Sequence, residues 1–133
     1  MTSSDSPPAL RTPVLTGLLV AIAAAVLSQA VFAGQFISGS ADVRLLHLIV
    51  GSALPWLALV PAVLAWVRAA QRVIPKSFAV LVTVLTVAIW VQDALGHIGF
   101  PVTTAVHIPF GVAIFALSVG LVIVSFRRPV ARA

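Results

Sequence analysis

Four apolar stretches, each long enough to cross a bilayer, take up most of this 133-residue chain and set what it can fold into. They cover residues 13–37, 45–67, 78–95 (with an extension to 98) and 102–126. A hydrocarbon core takes about 20 helical residues to cross. A lipid-exposed backbone has to satisfy its own hydrogen bonds, which stretches of this length do as helices. The composition leaves little else open: 61% of residues are hydrophobic and 8% charged, with a mean hydropathy of +1.17. A soluble domain is roughly half apolar and a quarter charged. The expected fold class is an all-α integral membrane four-helix bundle. Pro55, Pro61 and Pro109 fall inside the stretches, where neighbouring helices have to cover the carbonyls that proline leaves free.

The net charge of +5 and the pI near 11.9 arise from eight basic residues against three acidic ones. The bases sit at segment ends and form no patch interleaved with aromatics, so nucleic acid is not an expected partner. Basic residues beside membrane segments set topology and meet anionic headgroups of the membrane lipid. Arg11 precedes the first stretch, Arg68, Arg72 and Lys76 lie between the second and third, and Arg127, Arg128 and Arg132 follow the fourth; the other two connections hold only Arg44. The positive-inside rule places both termini and the middle connection in the cytoplasm, and the connections near 38–44 and 96–102 outside. Residues 1–12, opening MTSSDSPPAL, read as a disordered cytoplasmic tail. Residues 13–126 read as the transmembrane domain and 127–133 as a basic cytoplasmic tail. Arg11, the first apolar run and VFAGQ also resemble a signal peptide cleaved after Ala33. That run is longer than a usual signal core and cleavage would break an internal repeat, so four spans are expected. With no cysteine in the chain, disulfides, thiolate zinc sites and Cys-ligated clusters are excluded. No hydrolase triad, phosphate loop or nucleotide fingerprint occurs.

The chain repeats itself. The first stretch ends in SQAVFAGQFISG and the third in VQDALGHIGFP, which pairs Gln29 with Gln92; small residues follow each, Ala33 and Gly34 in one case, Gly96 and Gly99 in the other. The second holds LLHLIVGSALPW and the fourth AVHIPFGVAIFA, which pairs His47 with His107 and Gly51 with Gly111. Internal repeats are common in membrane folds and do not by themselves assign a function.

Geometry gives the repeat a chemical meaning. Both histidines lie about one turn below the outer ends of helices that run the same way, so their imidazoles share a depth. In an up-down-up-down bundle the second and fourth helices are diagonal partners facing each other across the core. Two histidines so placed are suited to hold a metal or a haem iron, with metal ligands His47 and His107. Gly51 and Gly111, four residues on, lie on the same face one turn deeper and leave room for a flat macrocycle. The plainer alternative is a pair of interfacial or interhelically bonded histidines. Ionisable groups within membrane segments are functional by default, whereas small residues alone commonly serve helix packing.

Gln near the end of one helix, a Gly-containing outer loop, and then a helix opening with Leu-x-His or a similar motif resemble one four-helix half of the haem A synthase family. The likeness covers about residues 13–126. It implies that His47 and His107 are axial ligands of a haem b in a small membrane b-type cytochrome, and a homodimer would mimic the eight-helix parent. The half linked to catalysis in that family carries a glutamate near its first histidine, and many bacterial members have a cysteine pair in an outer loop. This chain has neither glutamate nor cysteine, so hydroxylation of a haem methyl group is not expected of it.

Other polar residues extend the candidate site. Arg44 precedes His47 by one turn and suits either a haem propionate, through its planar fork of donors, or plain interfacial snorkelling. Gln29 and Gln92 read as polar glue between helices, with contact to a haem edge or quinone as the sharper option. Asp93 and His97 are spaced i, i+4 and suit an ion pair, a ligand-orienting role or proton passage to a bound quinol. His97 could also replace one histidine of the pair as a ligand, but its repeat-related position is Gly34, and an interhelical hydrogen bond is the leading expectation. Trp56, Trp66 and Trp90 read as packing or interface residues. The leading function is a bis-histidine haem protein of a bacterial plasma membrane, an electron carrier or haem-protein subunit rather than a stand-alone enzyme, with a quinol or a redox subunit as partner. The alternatives are a cofactor-free accessory or assembly protein and a small transporter.

Overall fold

The computed structural model describes residues 12–98 and 101–126, and it is a bundle of four helices: α1 (Pro13–Ile37), α2 (Val43–Ala70), α3 (Lys76–Ile98) and α4 (Pro101–Phe126). The expected tails, with Arg11, Arg127, Arg128 and Arg132, and Gly99 in the last connection lie outside the described residues. All four helices are long and apolar enough to cross a membrane. Three start before the expected bounds or run past them: α2 begins at Val43 and continues to Ala70, α3 begins at Lys76, and α4 begins at Pro101; the extension of α3 to Ile98 is present. Helix formation stops where the backbone turns, not where hydropathy falls, so charged residues such as Arg68 and Lys76 extend the helices. Arg44, expected in a loop, sits in the first turn of α2.

The turns explain where helices end. After α1, Gly39 adopts φ +104, with Ser38 N–H donating to the Gly34 carbonyl and Ser40 N–H to the Gln35 carbonyl. A left-handed residue just past a helix captures its last carbonyls, and glycine takes that conformation without steric cost. Between α2 and α3, Arg72 takes the same role at φ 59, and Val73 N–H reaches back to the Arg68 carbonyl at 2.9 Å.

α1 packs on α2 and α4, and α3 packs on the same two, so α2 and α4 are diagonal across the bundle. Each helix buries one stripe at alternating four- and three-residue spacing: Leu15, Leu19, Ile22 and Val26; Leu54, Ala58, Pro61 and Ala65; Phe78, Val82, Leu85 and Ile89; Ile114, Ser118, Leu121 and Ser125. This is the left-handed packing of coiled coils and most membrane bundles. The stripes obey the repeat. Adding 63 to a buried position of α1 gives one of α3, and adding 60 carries α2 onto α4, although few of the letters agree. Alanines at 58, 62, 65 and 69 let α2 approach its neighbours closely. The interhelical bond from Thr86 Oγ1 to the Ala58 carbonyl (3.1 Å) and that from Trp66 Nε1 to Thr83 Oγ1 (3.0 Å) join α2 to α3. Pro55 and Pro61 face the core inside α2, while Pro109 lies exposed inside α4. Large apolar side chains such as Trp56, Val63 and Val112 point outward, as a lipid-facing surface requires.

Candidate functional site

At the end of the bundle that carries the histidines, the same four stripes continue but their residues change. Val26, Leu54, Ile89 and Ile114 form the last large apolar layer. One turn on come Gln29, Gly51, Gln92 and Gly111, and then Ala33, His47, Gly96 and His107. Large side chains fill the first of these layers; small and polar ones leave the other two open. The result is a cavity of about 410 Å³ lined by all three layers, within the range of roughly 300–1,000 Å³ common for cofactor and small-molecule sites.

His47 and His107 face one another inside it. Their ring centroids are 6.4 Å apart with the ring planes at 73°, as expected for equal depth on diagonal helices. His47 Nδ1 lies 3.2 Å from the Gln29 carbonyl. A carbonyl only accepts, so Nδ1 carries the proton and Nε2 keeps its lone pair. On the other side Gln92 Nε2 donates to the His107 carbonyl at 2.9 Å, and the His107 Nδ1 atom is buried without a partner. His107 also leans on α3, where a methyl added to Gly96 would stand 3.2 Å from its Cε1.

The repeat-related glutamines do more than join helices. A methyl at Gly51 would meet Gln29 Oε1 at 3.2 Å, and one at Gly111 would meet Gln92 Nε2 at 3.0 Å. The space left by each glycine is thus taken by the glutamine of the preceding helix, while Gln29 Nε2 and Gln92 Oε1 remain buried without partners. Arg44 stands apart. Its guanidinium lies 5.8 Å from the Phe36 ring centre, and Arg44 is absent from the cavity wall. His97 and Asp93 do line the cavity. His97 Nδ1–H donates to the Asp93 carbonyl at 2.9 Å and lies 3.4 Å from its carboxylate. Its Nε2 is left to accept from the Ser52 hydroxyl of α2 at 3.5 Å. The expected interhelical role of His97 is therefore present, through a serine that sequence reading did not single out. Trp56 and Trp90 pack edge to face at 4.8 Å between α2 and α3.

The glycine contacts give a direct test. Gly111→Ala must displace the Gln92 amide, and the loss of about 1 kcal/mol for one such hydrogen bond offsets the gain of about 1 kcal/mol from helix propensity. Gly34→Ala meets no atom within 4 Å and should gain up to about 1 kcal/mol from helix propensity. A raised thermal midpoint in detergent for Gly34→Ala and an unchanged one for Gly111→Ala are the expected result; equal rises would mean that the Gln92 contact is not made.

Among the described residues no group of three His, Cys, Asp or Glu side chains converges. Two imidazoles suffice when a macrocycle supplies the remaining ligands. Fold and cavity together define the class: a multi-pass membrane protein, built as a repeated four-helix bundle, with a histidine-lined cavity at one end. In comparisons with known proteins, no family model, no curated protein and no solved structure matched the chain.

Proposed function

We propose that the cavity holds a haem b with His47 and His107 as its axial ligands, and that the protein is an electron carrier or haem-carrying subunit of a bacterial plasma membrane. The observation that carries this reading is the 6.4 Å spacing of the two rings. Metal–imidazole bonds are about 2 Å long, and two of them in line, with the half-widths of the rings, separate the centroids by roughly 6 Å. Three further features fit. His47 has its Nε2 lone pair free, His107 Nδ1 lacks a partner, and the α1 and α3 sides between them carry only small residues at the histidine layer, Ala33 and Gly96.

Such a haem would be held by His47 and His107 and would supply one-electron chemistry. The chain's own residues hold it and control its surroundings. The Gln29 carbonyl fixes the tautomer and plane of His47, a role for which outer hydrogen bonds to ligating histidines are known. Gln92 grips the backbone that carries His107. The floor of Val26, Leu54, Ile89 and Ile114 closes the cavity toward the other end of the bundle and keeps water from it. The end with the histidines faces outward by the distribution of basic residues.

Purification in mild detergent after expression with added haem tests the reading. The expected outcome is a low-spin b-type reduced-minus-oxidised spectrum at about one haem per chain. A colourless protein with full helical content overturns it. The Gln29 and Gln92 bonds to the histidine-bearing helices would then support the second reading, a cofactor-free accessory protein in which the repeat serves packing.

A further inference from the structure

The repeat is symmetric where the histidines and glutamines lie, but it breaks at one place on the cavity wall. Asp93 and His97 of α3 correspond to Ala30 and Gly34 of α1, and Ser52 of α2 corresponds to Val112 of α4. All three members of one hydrogen-bonded group are thus replaced in the other repeat by residues that cannot form it. The seam between α2 and α3 is polar, and the equivalent seam between α4 and α1 is apolar.

We propose that the polar seam is a binding and proton-accepting subsite for a neutral, membrane-soluble hydroquinone, a donor for the haem of the preceding reading, on which the electron-transfer part of this inference rests. Three observations lead there. His97 lines the cavity although its side chain is 55% exposed, so it connects the interior with the surroundings of the bundle. Its Nδ1–H is held by Asp93, and its Nε2 already accepts from a hydroxyl, that of Ser52, at a long 3.5 Å. A base whose Nδ1–H is held by a backbone carbonyl with a carboxylate 3.4 Å away, and whose Nε2 is presented to a hydroxyl, is an arrangement that takes a proton from an alcohol or phenol. Gln92 Oε1, buried and without a partner on the same helix, offers a second acceptor.

The surroundings select the class of donor. Among the described residues no lysine or arginine lines the cavity, so an anionic reductant finds no counter-charge there. The flanking residues Leu48, Ile49, Val91 and Ile98 are exposed and apolar, which suits a molecule arriving from lipid. With haem bound, both O–H bonds of the hydroquinone would break, two electrons would pass singly to two ferric haem equivalents, the quinone would leave, and two protons would depart through His97 Nε2 to the side of the histidine end.

Two measurements test this. In nanodiscs, duroquinol should reduce the haem-loaded wild type, and His97→Gln and Asp93→Asn should slow that reduction at least ten-fold while reduction by dithionite gives an unchanged spectrum. Photolabelling of the haem-free protein with an azidoquinone should mark residues 48–52 and 91–98, and duroquinone should compete the label away. Wild-type rates in both variants overturn the proposal, as does label spread over the lipid face without competition. A colourless protein with competed label at the seam removes the haem reading and the electron transfer but keeps the subsite. A coloured protein that reacts with dithionite, but not with duroquinol, removes the subsite and keeps the haem.

Discussion

His47→Ala and His107→Ala each abolish the low-spin spectrum, while His97→Ala leaves it intact: this is the expected pattern if the two facing imidazoles are the ligands. The prediction separates three histidines that lie close together at one end of the bundle. His47 and His107 come from diagonal helices and face each other at 6.4 Å. His97 sits on α3 with both ring nitrogens already engaged, by Asp93 and Ser52. Loss of a ligand should be complete, because a single remaining imidazole leaves the iron five-coordinate or lets the haem escape. Misfolding would mimic this result, so a second variant is needed. His107→Gly, supplied with millimolar imidazole, should regain the low-spin spectrum, since the free base can occupy the space beside Gly96. Full helicity with no rescue, or colour persisting in both alanine variants, would place the haem elsewhere. Changes to residues that orient a ligand are milder: for metal-ligating histidines such losses typically cost about 10–100-fold in affinity, which is the range expected for Gln92→Ala.

Much of the architecture was legible because lipid simplifies it. Four long apolar runs admit little but four helices, and the 60-residue step from His47 to His107 places the histidines on diagonal helices. The inward faces were not legible in the same way. In water a buried stripe stands out by polarity; here every face is apolar, and the buried stripe of α2 differs from its lipid face by size, Ala58 and Ala65 against Trp56 and Val63. The signal was nonetheless present. Stepping by three and four residues from His47 reaches Gly51, Leu54 and Ala58, and the same steps from His107 reach Gly111, Ile114 and Ser118.

Site details escaped for a different reason. Gly51 and Gly111 were expected to make room for a macrocycle, yet their open sides are met by Gln29 and Gln92. That contact depends on the relative height of two helices, which hydropathy does not encode. The rotation of α2 likewise decides that Arg44 packs on Phe36 and not into the cavity. Ser52 is matched by Val112 in the other repeat, so repeat symmetry, which marks the histidines, does not mark it.

Ala33→Leu should empty the site while leaving the fold sound. Ala33 is the α1 member of the histidine layer, partly buried and on the cavity wall. A leucine there extends into the open layer, where a bound macrocycle would need the same space. In a membrane the gain does not come from moving apolar surface out of water, since lipid already solvates it; it comes from packing contacts inside the bundle. Filling empty space with an unstrained side chain is therefore expected to hold the thermal midpoint or raise it by a few degrees, against the 1–3 kcal/mol typically lost when a full core is overpacked. Haem content after purification should fall at least ten-fold. Val31→Leu, on the same helix but 49% exposed and off the cavity wall, should change neither quantity. The contrast carries more than a ligand deletion does, because Ala33 offers no atom to a metal. If Ala33→Leu retains wild-type haem, the cavity is not where the haem sits, whatever the histidine variants show. If it loses haem and gains stability, the small residues of the histidine layer, Ala33 and Gly96, exist for the ligand, at the expense of a better-packed bundle.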